Sequence, residues 1–294
     1  MIELVNFYLI PGIVLGCIYA LGAIGLSLVF GILRFAHFAH GDLLTLGAYF
    51  SLVAATALAV PPLWALPVAI VATAAAALLI DRLFYRPLRA RHSVATVIAS
   101  FGVALMIRSV IQLIWGPQDR VFETGIRHPL VIGDFRLAER HIYIVAAAAT
   151  IIALLHLFLT RTRAGKAMRA MSDEPSLARV SGINTERVVA WTWVLAAALL
   201  AAGGLFLGID TQVKPQMGFN LILPMFAAAI LGGIGKPYGA IAGGLVIGLA
   251  EELATVPIGG MPLVPPSYKS AVAFVILVTM LLWRPTGLFR GRVF

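Results

Sequence analysis

Along most of the chain, polar residues fall between apolar runs rather than inside them. The stretch I-Y-I-V-A-A-A-A-T-I-I-A-L-L-H-L-F-L, from Ile142 to Leu159, contains no Asp, Glu, Lys or Arg and no alternation. A hydrocarbon layer about 30 Å thick needs roughly 20 mostly apolar residues at 1.5 Å per residue. Backbone groups in lipid must be paired within the segment or around a closed barrel. Barrel strands alternate apolar and polar residues over about 10 positions. These runs do not, so they read as helices. The pattern predicts nine spans, over 7–32, 42–60, 63–84, 94–115, 141–159, 189–209, 219–234, 238–255 and 269–283. The seventh and eighth are short and glycine-rich, so eight spans plus a re-entrant hairpin is the alternative. The expected fold is an all-α polytopic membrane protein, one transmembrane domain over 1–294.

The charged positions orient these spans through the excess of Lys and Arg in cytoplasmic loops. Between the third and fourth spans lie Arg82, Arg86, Arg89 and Arg91, against Asp81. Between the fifth and sixth lie Arg161, Arg163, Lys166, Arg169, Arg179 and Arg187, against Asp173, Glu174 and Glu186. Arg284, Arg290 and Arg292 follow the last span. In the loop after the fourth span, Arg120, Arg127, Arg136 and Arg140 balance Asp119, Glu123, Asp134 and Glu139. Nine spans with the N-terminus outside place all three basic segments and the C-terminus in the cytoplasm. The opening M-I-E-L-V-N-F-Y lacks the basic region of a signal peptide, so the first span is expected to be retained.

Composition removes the competing classes. Of 294 residues, 61% are hydrophobic and only 12% charged, about half the usual quarter for soluble domains. Thirteen acidic and 22 basic residues cannot cover a soluble globule of this size. Disorder, coiled coil and a disulfide scaffold are excluded as well. Cys17 is the single cysteine, so no internal disulfide forms. The net charge of +9 suits topology determinants and anionic lipid headgroups, and no nucleic-acid motif accompanies it.

Within the spans, small residues let helices approach closely. The spacing G-x-x-x-G occurs at Gly12/Gly16, Gly204/Gly208, Gly239/Gly243 and Gly244/Gly248, predicting close packing within the chain or against a second membrane subunit. Ionisable and polar groups at membrane depth are rare and mark candidate paths. Gln112, Asn220 and Glu251 are the candidates for a translocation path, although carboxylates at span ends are often simply wetted by the interface. Asp210, Thr211, Gln212 and Glu252 also lie near outer span ends, and Arg108 is the one cation well inside a span, snorkelling or paired within the bundle.

The segment F-A-H-F-A-H-G-D, Phe35 to Asp42, places His37 and His40 on one helix face. No other His or Cys cluster completes a metal site. The expectation is a polar break between the first two spans, where the imidazoles and Asp42 satisfy local backbone groups at an interface and Gly41 gives backbone freedom. Enzymatic motifs are absent. In L-G-G-I-G-K-P-Y-G the places that a Walker A loop fills with glycine and a hydroxyl hold Ile230 and Pro237. Nucleotide hydrolysis is therefore not expected of this chain.

The loop R-T-R-A-G-K-A-M-R-A-M-S-D-E-P-S-L-A-R-V-S-G-I-N-T-E-R, from Arg161 to Arg187, has room for short helices. Ser172 to Pro175 reads as a helix start with Ser172 as N-cap, and Gly182 as its stop. With Ala178 at its centre, such a helix suits insertion into another protein's groove; an ordinary solvated loop is the alternative.

Five motifs in order then carry a resemblance: F-G-I-L-R-F-A-H-F-A-H-G-D-L-L-T-L-G-A-Y, R-T-R-A-G-K-A-M-R-A, A-R-V-S-G-I-N, L-G-G-I-G-K-P-Y-G-A-I-A-G-G-L-V-I-G and R-P-T-G-L-F. On these the chain resembles, over essentially its whole length, the permease subunits of ABC importers for branched-chain amino acids, specifically the H-type member of a two-permease pair. The resemblance implies a bacterial inner-membrane protein with a second homologous permease, two cytoplasmic ATPase subunits and an extracytoplasmic substrate-binding protein. ATP and Mg would belong to the ATPase subunits, and this chain would bind no cofactor. By position, Glu174 through Ile183, including Ala178 and Gly182, correspond to the segment coupled to the ATPase, with Arg169 just before it. The Pro-rich V-P-I-G-G-M-P-L-V-P-P-S-Y departs from the pattern and leaves related small polar solutes open as substrates. An ion-coupled secondary transporter is the competing class, but it calls for a carboxylate near mid-bilayer and matching interrupted helices. The acids here are expected at span ends.

Overall fold

The computed structural model describes residues 2–89, 93–122, 130–132, 135–258, 261–289 and 291. Arg91, Glu123, Arg127, Asp134, Arg290 and Arg292, named above for charge balance, lie outside the described residues.

The apolar runs and the polar loop between the fifth and sixth of them form the helices α1 (Ile2–Leu33), α2 (His40–Leu58), α3 (Pro62–Leu88), α4 (Ser93–Trp115), α5 (Glu139–Arg161), α6 (Arg163–Asp173), α7 (Pro175–Val180), α8 (Thr185–Asp210), α9 (Met217–Gly232), α10 (Pro237–Leu253) and α11 (Ser270–Trp283), with α6 and α7 in the loop. Each of the nine expected apolar segments falls on a helix. Seven are long and apolar enough to cross a membrane: α1 to α5, α8, and α11 with its leading turn from Pro266. The two short segments are α9, with 16 residues, and α10, with 17. Among the described residues, two small antiparallel strand pairs interrupt the all-helical plan, Leu130–Ile132 with Phe135–Leu137 and Pro257–Ile258 with Met261–Pro262. The second lies in the Pro-rich stretch.

Helix α1 is the hub and runs antiparallel to α10, with glycines on both sides of the seam. A Cβ on Gly244 would stand 2.5 Å from the backbone nitrogen of Ala20, and one on Gly248 would strike the Gly16 backbone. Gly12 and Gly16 meet Leu249 and Leu245 across the same seam. Gly239 and Gly243 press instead on α9, at Gly232 and Ala228, while Gly204 presses on Leu44 of α2. These spacings therefore sit at contacts within the chain's own bundle. With no side chain between them, two backbones gain dispersion contacts that lipid tails do not match.

The two ends of the bundle differ. At one end Arg89 bonds Asp81 at 2.6 Å and Glu186 at 3.0 Å, Arg34 donates to the Ser172 carbonyl at 3.3 Å, and Leu288 N donates to the Leu231 carbonyl at 2.8 Å. This end gathers described parts of all three basic segments. At the other end Lys214 pairs with Asp119 at 2.9 Å, His141 with Asp210 at 3.1 Å and Lys269 with Glu252 at 2.7 Å.

Candidate translocation and coupling sites

Helix α1 ends at Arg34, whose φ of 59° turns the chain in the left-handed region. The chain then re-enters the bundle. Phe35, His37 and Ala39 are buried, and His40 Nε2 lies 3.0 Å from the Gly22 carbonyl of α1, about three helical turns before Leu33. His37 stands between His40, at 3.4 Å, and the Tyr85 hydroxyl of α3, at 2.9 Å, with its ring edge-on to Trp193 of α8. The polar break expected here is present, but it lies inside the packed helices and not at an interface. The partners that make this possible come from α1, α3 and α8.

Because α2 begins inside the bundle, Asp42 in its first turn is buried as well. Arg108 of α4 bonds it side-on, Nε to Oδ1 at 3.0 Å and Nη2 to Oδ2 at 3.1 Å. The carboxylate side chain is 2% exposed and the arginine 17%. Bidentate pairing supplies the counter-charge that a carboxylate away from water requires. The acids are thus not confined to span ends as expected, and Arg108 is paired rather than snorkelling. The Arg108 Cζ also stands 4.4 Å from the centroid of the Phe219 ring in α9. Beside it α9 and α2 touch backbone to backbone at Gly218 and Gly41, where Gly218 N donates to Thr45 Oγ1 at 3.0 Å. No pattern in the sequence announces this pair, whose members lie 66 residues apart.

Of the three residues singled out for a path, two share this neighbourhood. Gln112, half-buried, lies one turn beyond Arg108 on α4, and Asn220, exposed, follows Phe219 on α9. Glu251 lies elsewhere. It is fully buried between α10 and α1 and accepts a 2.6 Å bond from the Tyr19 hydroxyl, while its Oε1 has no partner among the described residues. A wetted span end is therefore the wrong description of Glu251. Along α4 and α9 the same open face continues to Phe38, stacked on Phe101 at 4.1 Å and tilted against Phe226 at 5.2 Å. Ser100 Oγ accepts from Phe38 N at 3.1 Å and fixes the re-entrant segment to α4. At the far end a cavity of about 540 Å³ is lined by Trp64, Phe122, Arg140, Tyr143 and Thr211. Among the described residues no group of three or more His, Cys, Asp or Glu stands ready for a metal ion.

The coupling segment is built at the basic end. Thr162 caps α6, its Oγ1 accepting from Gly165 N at 2.9 Å. Helix α6 buries Gly165, Met168 and Met171 and exposes Arg163, Lys166 and Arg169. It continues through Ser172, so Ser172 is not an N-cap; the break falls at Glu174, whose carboxylate accepts from Ser176 Oγ at 2.6 Å. Helix α7 ends as expected at Gly182, with φ of +80°. Gly182 N donates to the Arg179 carbonyl at 3.0 Å and Ile183 N to the Ala178 carbonyl at 3.1 Å, the paired bonds of a Schellman ending. Ala178 itself is buried at 4%, packed against its own protein. It is not the residue presented outward. Leu177, 65% exposed, and Val180, 88% exposed, occupy that position. Six residues fix a helical phase poorly from pattern alone.

Comparison with known proteins agrees with these observations. The family model described as branched-chain amino acid transport system / permease component matches residues 8–281. The high-affinity branched-chain amino acid transport system permease protein BraD of Pseudomonas aeruginosa is 33% identical over 298 residues, covering 97% of this chain and 95% of that protein. The permease protein LivH of Escherichia coli is 34% identical, with 96% and 94% covered. The chain in the structure "PsaBC from Streptococcus pneumoniae in complex with Fab" shares the fold, with a TM-score of 0.54 at 16% identity, covering 97% of this chain and 95% of that one. A family match over most of the chain, with relatives above 30% identity along nearly its full length, makes this protein a member of the permease components of branched-chain amino acid transport systems, a membrane permease and not itself an enzyme.

Proposed function

We propose that this chain moves branched-chain amino acids across the inner membrane as one half of a two-permease core, worked by two cytoplasmic ATPase subunits and fed by an extracytoplasmic binding protein. The family implies ATPase and binding-protein partners. The single observation that carries the mechanical reading is α7, a short, firmly capped helix on the basic end that turns Leu177 and Val180 outward. An apolar pair on a rigid helix suits a groove on a partner. The gathering of described parts of the three basic segments at one end supports nine crossings with the N-terminus outside and that end in the cytoplasm. It also supports one transmembrane domain with the coupling loop 161–187. Closure of the ATPase subunits would drag α7, and the glycine seams would let α1, α8 and α10 shift as rigid bodies. ATP and Mg act on the partners, with no cofactor on this chain.

Val180→Glu tests this reading, because it places a charge on the docking face and touches no buried group. In the assembled complex the expected result is normal permease in the membrane, at least tenfold weaker retention of the ATPase subunits, and no leucine uptake. Wild-type uptake by the variant, or accumulation of leucine by this chain alone in vesicles, would reject it.

A further inference from the structure

Resting on the permease reading, we infer that Arg108, Asp42 and Phe219 form a substrate-contact site within the membrane for a zwitterionic α-amino acid with an apolar side chain. An ion pair that merely closed the polar break would be expected to be sealed. This one is sealed on one side only. Arg108 spends Nε and Nη2 on Asp42, and its Nη1 has no hydrogen-bond partner among the described residues. The Arg108 side chain is 17% exposed, and Phe219, over whose ring its guanidinium lies, is 52% exposed. A partly open guanidinium at membrane depth is expensive against lipid, so such groups face bundle interiors or watered paths.

The surrounding chemistry matches a zwitterion. Nη1 offers a donor to a carboxylate, Asp42 beside it offers an acceptor field for an ammonium group, and the Phe219 ring offers apolar surface. Gln112, one turn beyond Arg108 on α4, extends the polar surface toward the end carrying Asp119 and Lys214, and Asn220 adds an amide next to Phe219 on α9. In the other direction the same face becomes the Phe38, Phe101 and Phe226 group, with Phe101 about two turns from Arg108 on α4. A polar contact followed by an aromatic constriction is the order expected where a small solute must be held and then passed.

Two measurements on the complete complex in vesicles test the site. Cys17 is the single cysteine of this chain and is buried, so thiol labelling of this chain in a Cys17→Ser background, resolved from its partners by gel electrophoresis, reports one introduced position. Phe219→Cys should react with a membrane-impermeant thiol reagent in the complex trapped with ATP and vanadate. Its rate should be at least tenfold above Val71→Cys, an exposed position within the apolar run of α3. Excess leucine-loaded binding protein should slow it. Second, Asp42→Asn with Arg108→Gln removes both charges and keeps hydrogen-bonding groups. Leucine transported per ATP hydrolysed should fall at least tenfold while permease amount and ATP hydrolysis stay within twofold. An inert Phe219→Cys together with a wild-type transport ratio in the neutral pair would overturn the site. Failure of the wild-type complex to transport leucine would instead overturn the permease reading.

Discussion

Among the described residues, Glu251 and Asp42 are the two most deeply buried carboxylates, at 0% and 1% exposure, and they are held in opposite ways. Glu251 sits in the α1–α10 seam, where glycines bring backbones into contact and a single phenol answers the acid. Asp42 sits where a re-entrant segment starts α2 part-way through the bundle, answered by a full charge on Arg108. The first is fully buried in a close-packed seam. The second is held by Arg108, which lies over the half-exposed ring of Phe219. Burial alone therefore says little about role. On the proposed site, what distinguishes Asp42 from Glu251 is the strength of its partner and the openness of the face beside it.

The sharpest way to break the comparison is to destroy the seam. Gly248→Leu pushes a side chain into the Gly16 backbone and the Gly12 carbonyl. Overpacking that side chains can absorb costs about 1–3 kcal/mol. Backbone atoms cannot rotate aside, so the expected outcome is loss of monodisperse permease in detergent, read by fluorescence size-exclusion chromatography. A well-behaved Gly248→Leu protein would mean that α1 and α10 do not hold the bundle together.

Next come the acids themselves. Asp42→Ala strands Arg108, and breaking one side of a buried pair costs about 3–5 kcal/mol. Tyr19→Phe leaves Glu251 without its donor, a cost of about 1–3 kcal/mol for an unsatisfied buried group. Thermal midpoints of the purified permease should therefore fall further for Asp42→Ala than for Tyr19→Phe. The reverse order would show the Glu251 pair to be the more polarised of the two.

The readable and unreadable parts of this molecule divide on the same physical line. Apolar runs of about 20 residues follow from bilayer thickness, so α1 to α5 and α8 to α11 were expected close to their observed ends, while the polar loop helices α6 and α7 carry no such signal. Gly182 was legible because a left-handed turn favours glycine. The G-x-x-x-G spacings were legible because they are local. Long-range pairing was not. Tyr19 and Glu251 are 232 residues apart, and His37 meets Tyr85 across 48. No spacing rule reaches that far, so Glu251 reads as a path candidate or a wetted span end and His37 as an interface group. Ala178 was misjudged for a different reason. In a six-residue helix, small size at the centre says nothing about which side faces out.

The gentlest test lies at the basic end, where an ion network is exposed. Glu186 bonds Arg86 at 3.4 Å and Arg89 at 3.0 Å, and Glu186 and Arg86 are both more than half exposed. Arg89 keeps Asp81 whatever happens to Glu186. Exposed pairs contribute about 0–1 kcal/mol each, so Glu186→Gln should move the thermal midpoint far less than Tyr19→Phe. High salt screens exposed charges over a few ångströms, so the small difference from wild type should vanish near 1 M salt, while the Asp42→Ala deficit persists. A Glu186→Gln deficit as large and as salt-resistant as that of Asp42→Ala would mean that solvent does not reach this end of the bundle. Strength of partner and access of water would then no longer distinguish the surface network from the buried pair.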